Sequence, residues 1–286
     1  MPEGDTVWRT ARRLDRALNG KVLTRTEFRV PSFATWDLAG ATVEETVSRG
    51  KHLLTRIATH ERWTVHTHLK MEGGWRILEP GQAWPRPGHT ARVVLETADA
   101  VVVGFQLGIV EVVRRERESA IVGHLGPDLL GPDWDAAEAV RRLREQPART
   151  IKEALLDQTR LTGPASSVGV SVGAALLDQR NLAGLGTVYV SEVLFLAGVS
   201  PMTSISEVPD LGKVVGIAHR LLTFNAHGGS PAQVTTGNTR RGQEHYVYLR
   251  AGRACRRCGT TIVDGSLGEP GRERRLYWCP SCQATS

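Results

Sequence analysis

Four cysteines near the C-terminus constrain this chain more than any other feature. Cys255-x-x-Cys258 is followed, after twenty residues, by Cys279-x-x-Cys282, and no other cysteine occurs in the 286 residues. That spacing is the one a four-thiolate zinc site requires. With all four positions filled by protein, no place is open for water, so one structural Zn2+ is expected rather than a catalytic one. Its binding, about 10–16 kcal/mol in apparent terms, would hold together a segment too short to build its own core. Thiols gathered for metal rather than paired as disulfides fit a reducing, cytoplasmic setting. Arg253, Arg256, Arg257, Arg272, Arg274 and Arg275 crowd the loop and its approach, a density that points to phosphate contact. The net charge of +6 favours the same kind of polyanionic partner.

The rest of the chain is long enough for two further domains. No apolar run approaches the roughly 18 residues of a membrane span, and the charged start (Glu3, Asp5, Arg9, Arg12, Arg13) carries no signal-peptide core. A soluble monomer with no membrane association is expected. Val7, Ala11, Leu14 and Leu18 form one apolar stripe, predicting a helix over 6–19 capped by Asp5 or Thr6 and ended by Gly20. From Lys21 to Val113 short β runs follow (22–30, 52–57, 63–69, 91–95, 101–105), punctuated by Gly and Pro, and predict a β-sandwich. Beyond His124-Leu125-Gly126-Pro127-Asp128 the pattern turns helical, at 134–144, 151–158, 174–182, 187–196 and 208–225. The domains are therefore placed at 1–115, a linker at 116–133, a helical domain at 134–245 and a finger at 246–286. Ala-Leu-Leu-Asp-Gln occurs at 154–158 and again at 175–179. The uncharged stretch 159–174 between them reads as an insertion.

Candidate chemistry is scattered along this frame. Proline after the initiator methionine permits removal of Met1 and would expose a secondary amine at Pro2. Free α-amino groups titrate near pH ~8, so part of the population is an uncharged nucleophile, and neighbouring cations would increase that part. Glu3 is placed to move protons. Arg49-Gly50-Lys51 sets a lysine in a turn where glycine lets a ligand approach the backbone. Strand alternation puts His66, His68 and Lys70 on one face; two histidines at this spacing bind metal only with a third ligand, and none is evident nearby. Met71, before Gly73-Gly74, is either a core residue or an apolar wedge for opening a base stack. Leu182–Thr187 leads a helix with two glycines, an arrangement able to offer amides to a phosphate.

Taken together, Pro2-Glu3-Gly4, Arg49-Gly50-Lys51, Leu125–Asp128, Leu177-Asp178-Gln179 with Leu182–Thr187, and the four-cysteine finger resemble the formamidopyrimidine-DNA glycosylase/endonuclease VIII family. Pro2-Glu3-Gly4 and Tyr277-Trp278-Cys279-Pro280 are closer to its endonuclease VIII branch. The resemblance implies an α+β multidomain chain: an N-terminal β-sandwich with an N-terminal helix, a helix–two-turns–helix domain, and a C-terminal zinc-ribbon hairpin. It implies a base-excision repair enzyme that removes oxidised bases, pyrimidines by branch, from damaged DNA. Pro2 would attack C1′ and form a Schiff base, with β,δ-elimination following. Glu3 would protonate the sugar ring oxygen, Lys51 would hold a phosphate, and Arg274 would grip phosphate and assist the second elimination. His68, Lys70, Met71, His124 and Thr187 fall at DNA-contact positions. Three residues depart from the family pattern. Thr187 stands in place of Asn, Glu72 follows the wedge where an aromatic can occur, and Thr6 replaces a Glu.

Two other classes compete with this reading. A DNA-binding protein that keeps the scaffold but has weak catalysis would not be trapped on abasic DNA by borohydride. A zinc-ribbon component of RNA machinery accounts for the finger but leaves Pro2-Glu3 and Arg49-Gly50-Lys51 unexplained.

Overall fold

The computed structural model describes residues 2–145, 170–228, 232–267 and 273–284. The expected helix at 151–158, Arg272, and most of the 159–174 insertion lie outside them. The chain forms two compact units, Met1–His124 and Leu125–Ser286.

The N-terminal unit begins with helix α1 (Gly4–Leu18). Its stripe of Val7, Ala11, Leu14 and Leu18 is buried, as the periodicity predicts. The start differs from expectation. Glu3 is the N-cap, and Asp5 lies inside the first turn, where its carboxylate accepts from Arg9 Nη2 at 3.3 Å. An acid there is favoured by the helix dipole without capping it.

Eight strands follow: β1 (Arg25–Phe28), β2 (Thr42–Arg49), β3 (His52–Ala58), β4 (Arg62–His68), β5 (Gly74–Leu78), β6 (Ala91–Glu96), β7 (Val101–Phe105) and β8 (Ile109–Arg114). They make two antiparallel four-stranded sheets, ordered β2-β3-β4-β8 and β1-β6-β7-β5. The core between them, with Leu53, Ile57, Val65, Val93, Leu95 and Val102, also takes in the stripe of α1. This is the predicted sandwich. The run at 22–30 is paired only over β1, because Val22 bridges to Thr42 in the other sheet. After β8, α2 (Glu118–Val122) is tied down by a bidentate pair: Arg56 Nε and Nη2 donate to Glu118 at 3.0 and 2.8 Å.

In the second unit, α3 (Ala136–Glu145) starts two residues later than predicted, because Asp135 caps it through the amides of Ala137 and Glu138. The helix expected over 174–182 is the short α4 (Val172–Leu177). It stops where Asp178 and Gln179 bind local backbone instead: Asp178 Oδ1 accepts from Arg180 N–H, and Gln179 bridges Leu177, Gly184 and Leu185. Polar side chains that satisfy a turn in this way compete with helix. α5 (Thr187–Ala197) is buried almost all round, and α6 (Leu211–His227) packs on it. The turns between α4 and α5 form the helix–two-turns–helix element. A hairpin of β9 (Val263–Leu267) and β10 (Arg274–Trp278) closes the chain, with β10 against α5. No helix among the described residues is long and apolar enough to cross a membrane.

Candidate active site

In the first unit, Pro2 is half-buried and Glu3 is fully buried. Both precede α1 in extended backbone, with the Glu3 carbonyl accepting the Val7 amide at 3.0 Å. The chain start is thus anchored to the positive end of a helix dipole rather than frayed.

Lys51 sits in the two-residue turn between β2 and β3, closed by the pair Arg49↔His52. Gly50 at the first central position has φ +56°, the left-handed value that such a hairpin requires there. The β3–β4 register then sets His52 directly opposite His68, with His66 two residues along β4. His52 Nδ1 and His66 Nε2 are 2.8 Å apart, and His66 Nδ1 is 2.8 Å from Glu111 Oε2 on β8. His52 is pushed down to about 3, first by burial and then by the charges of His66, His68, His124 and Lys70. His68 falls to about 4, by burial and then by Lys70 and Lys51. His66 is also lowered by burial, against the pull of Glu111. His66, His68, Lys70 and His124 therefore converge on one histidine, next in the chain to Lys51, that the sequence reading passed over. The Gly50-Lys51 turn, which fixes the hairpin register, was the signal that could have found it.

The predicted common face of His66, His68 and Lys70 ends at His68. Lys70 has left the strand with φ +52°, a conformation that costs a non-glycine residue about 1 kcal/mol. Its amide donates to His68 Nδ1 at 2.9 Å, and its stem lies so close to Gly108 that a Cβ there would meet Lys70 Cγ at 2.1 Å. This strained, supported turn presents Met71, 63% exposed. Met71 is therefore not a core residue. Strain held in this way is typical of ligand clamps. His124 is exposed at the end of the unit.

In the second unit, Thr187 opens α5 and is buried. Arg274 is exposed at the start of β10 and makes no ion pair among the described residues. Three of the finger arginines expected at phosphate make contacts within the protein. Arg256 donates to the carbonyls of His245 and Gly242 and to Gln243. Arg257 lies over the Phe195 ring at 4.5 Å, and Arg275 pairs with Asp264. A guanidinium has five fixed donors, and these three side chains turn donors or their flat face toward the 242–245 backbone, α5 and β9 respectively. A second carboxylate missed from sequence is Glu192 on α5, fully buried. It accepts from the amides of Tyr246, Val247 and Tyr248 at 2.7–2.8 Å and from the Thr235 hydroxyl.

The ligand atoms of Cys255, Cys258, Cys279 and Cys282 all lie within 4.8 Å of one another, the one such cluster among the described residues. Sulfurs are 3.9 Å apart for Cys255–Cys282 and 3.5 Å for Cys258–Cys279. These distances are far beyond a disulfide's ~2.05 Å and close to the roughly 3.8 Å edge of a tetrahedron built on ~2.3 Å metal–sulfur bonds. The amides of Arg257 and Cys282 point at the sulfurs of Cys255 and Cys279, as suits thiolates. The four cysteines fit a metal ion.

Residues 1–106 match the formamidopyrimidine-DNA glycosylase N-terminal domain. The chain is 48% identical to "Probable endonuclease 8 2" of Streptomyces coelicolor over 99% of its own length and 94% of that protein's. This chain belongs to the formamidopyrimidine-DNA glycosylase/endonuclease VIII family. It is also 44% identical, over the full length of both chains, to "DNA-(apurinic or apyrimidinic site) lyase Nei2" of Mycolicibacterium smegmatis. Among solved structures, the family's fold recurs in the Lactococcus lactis formamidopyrimidine-DNA glycosylase bound to abasic-site DNA. The TM-score is 0.73 at 21% identity, covering 99% of this chain and 100% of that one.

Proposed function

We propose that this family member is a bifunctional DNA glycosylase and abasic-site lyase that excises oxidised bases, pyrimidines above all. The observation that carries the reading is the setting of Pro2 and Glu3, in a chain whose full-length relative is named an abasic-site lyase. The positive end of α1 disfavours an ammonium at the chain start, so the Pro2 nitrogen, freed of Met1, keeps a lone pair. That nitrogen attacks C1′ of the damaged nucleotide's sugar, and Glu3 gives a proton to the ring oxygen as the C1′–O4′ bond opens. The base leaves, an imine links Pro2 to C1′, and loss of the C2′ proton expels the 3′-phosphate. Arg274 assists the second elimination.

Lys51 holds a phosphate beside the lesion, and His68, Lys70, His124 and Thr187 contact the backbone. Extruding a nucleotide costs a few kcal/mol, which exposed Met71 offsets by filling the gap. Cys255, Cys258, Cys279 and Cys282 hold one Zn2+, which supplies structure and no chemistry. Borohydride with abasic-site DNA should trap the protein covalently. Pro2→Gly should reduce trapping strongly, and retained Met1 should block it. Glu3→Gln should cost more in base removal than in abasic-site cleavage; equal loss of both would contradict this division of labour. A panel of duplexes with single defined lesions reads the base preference.

A further inference from the structure

The outer face of the β2-β3-β4-β8 sheet holds a chain of groups to which the reaction above gives no role. It runs from Glu111 through His66 to His52. A carboxylate can only accept, so His66 donates through Nδ1–H. A neutral His66 then offers its Nε2 lone pair, and His52 donates to it through Nδ1–H. His52 is left as a neutral ring with an unprotonated Nε2. His68 is fixed in the opposite sense: its Nδ1 accepts the Lys70 amide, so its proton sits on Nε2. One end of the chain is open, since the Glu111 side chain is 46% exposed, while the His66 side chain is 2% exposed. The other end is the residue whose pairing with Arg49 closes the turn bearing Lys51.

We propose that Glu111, His66 and His52 are positioning residues for Lys51. Their hydrogen bonds hold the His52 imidazole immobile at the foot of the turn, and so fix the place of Lys51. The function of Lys51 invoked here rests on the proposed lyase reading. Around His52 stand Arg49 across the turn, Lys51 in it, His66 and His68 on β4, Lys70 after it, His124 at the end of the unit, and Glu111 beyond His66. A charged His52 would be repelled by Lys70 and His124, and it lies directly opposite His68, the histidine on which the Lys51 charge bears. Burial and those same cations keep it neutral. If Glu111 loses its carboxylate, His66 is free to carry its proton on Nε2. The bond between His66 Nε2 and His52 Nδ1 can then run in either direction, the tautomers are no longer fixed, and the hold on His52 loosens.

Three measurements test this. Imidazole 15N spectra should show the Nδ1–H form for His52 and His66 and the Nε2–H form for His68; an Nε2–H form at His52 or His66 would overturn the proposal. The signal of isotopically methylated Lys51, read without DNA, should shift in Glu111→Ala and return in Glu111→Gln, whose carbonyl still accepts from His66. An unmoved Lys51 signal would overturn the proposal whatever happens on DNA. Trapping on abasic-site DNA should slow on the order of tenfold in Glu111→Ala, by analogy with the loss of a partner that orients a metal-bound imidazole, with a weaker hold on DNA because Lys51 grips phosphate. The same variant should gain a titration near the ordinary imidazole value of about 6.5. Glu111→Ala should add nothing in a Lys51→Ala background. An equal loss in both backgrounds would make the chain a general structural support and sink the proposal. Failure of the wild-type protein to be trapped at all would instead remove the lyase reading, and the Lys51 signal would still decide on the positioning.

Discussion

In the N-terminal unit two sheets and a helix close over one apolar core, whereas the finger of the second unit buries only a small cluster around Phe195, Val247, Ile262 and Tyr277. The sandwich holds its functional turn by strand pairing and a histidine chain. The finger has four sulfurs gathered at the open end of its hairpin and one carboxylate, Glu192, which gathers three consecutive amides. Apolar burial thus supports the unit that carries the nucleophile. The second unit has an apolar core of its own around α5 and α6, which reaches Leu276 on β10; the rest of the finger leans on polar contacts and the cysteine cluster, which a single change can remove.

That contrast breaks most sharply at the metal. Chelation, or Cys279→Ser, should unfold residues 246–284 and abolish DNA binding, because about 10–16 kcal/mol of apparent metal binding is lost. The calorimetric transition of the N-terminal unit should persist. If both units melted together, their separate means of support would be refuted. Glu192→Ala comes next. It leaves three amides and the Thr235 hydroxyl without an acceptor in a dry site, at a cost of about 3 kcal/mol or more. It should loosen the finger while the metal stays bound. Hydrogen exchange at Tyr246, Val247 and Tyr248 is the measurement, and unchanged protection would show that Glu192 is not the anchor.

Acid should act on the other unit. An unfolded histidine takes its proton near pH 6.5, while folded His52 waits until about 3 and His68 until about 4, chiefly because both are buried. Between those values the unfolded chain binds more protons, so stability rises with pH. This contribution is complete above about pH 6.5 and is lost as pH falls toward the folded values. Each such histidine contributes a slope of about 1.4 kcal/mol per pH unit. Urea titrations of the N-terminal transition at pH 7, 6 and 5 should show that slope, and His68→Gln should lessen it. A flat profile would mean that the histidines titrate in the fold as they do in the unfolded chain.

Much of this was legible in the residues. The stripe of α1, the sandwich and the cysteine cluster each have one strong local cause: a helical period, a period of two, or a fixed ligand spacing. The histidine chain was not legible, because it joins β3, β4 and β8, and only the register of three strands brings His52, His66 and Glu111 within bonding distance. Glu192 was hidden for a related reason. A carboxylate inside an apolar helix has no local rationale, and its partners lie more than forty residues on. Counting arginines could not show which guanidinium also has a partner within the protein, since composition carries no positions in space.

The finger's arginines supply the smallest and most selective test. If Arg274 reaches phosphate, Arg274→Ala should flatten the slope of log affinity against log salt by about 0.9. Arg257→Ala should leave that slope alone. Its cost should be about 0.5–1 kcal/mol of finger stability, from the lost contact with Phe195. Arg256→Ala should likewise keep the slope while freeing the 242–245 backbone it now holds. Equal flattening by all three would mean that their internal partners exchange readily for phosphate, and the division between structural and binding arginines would fall.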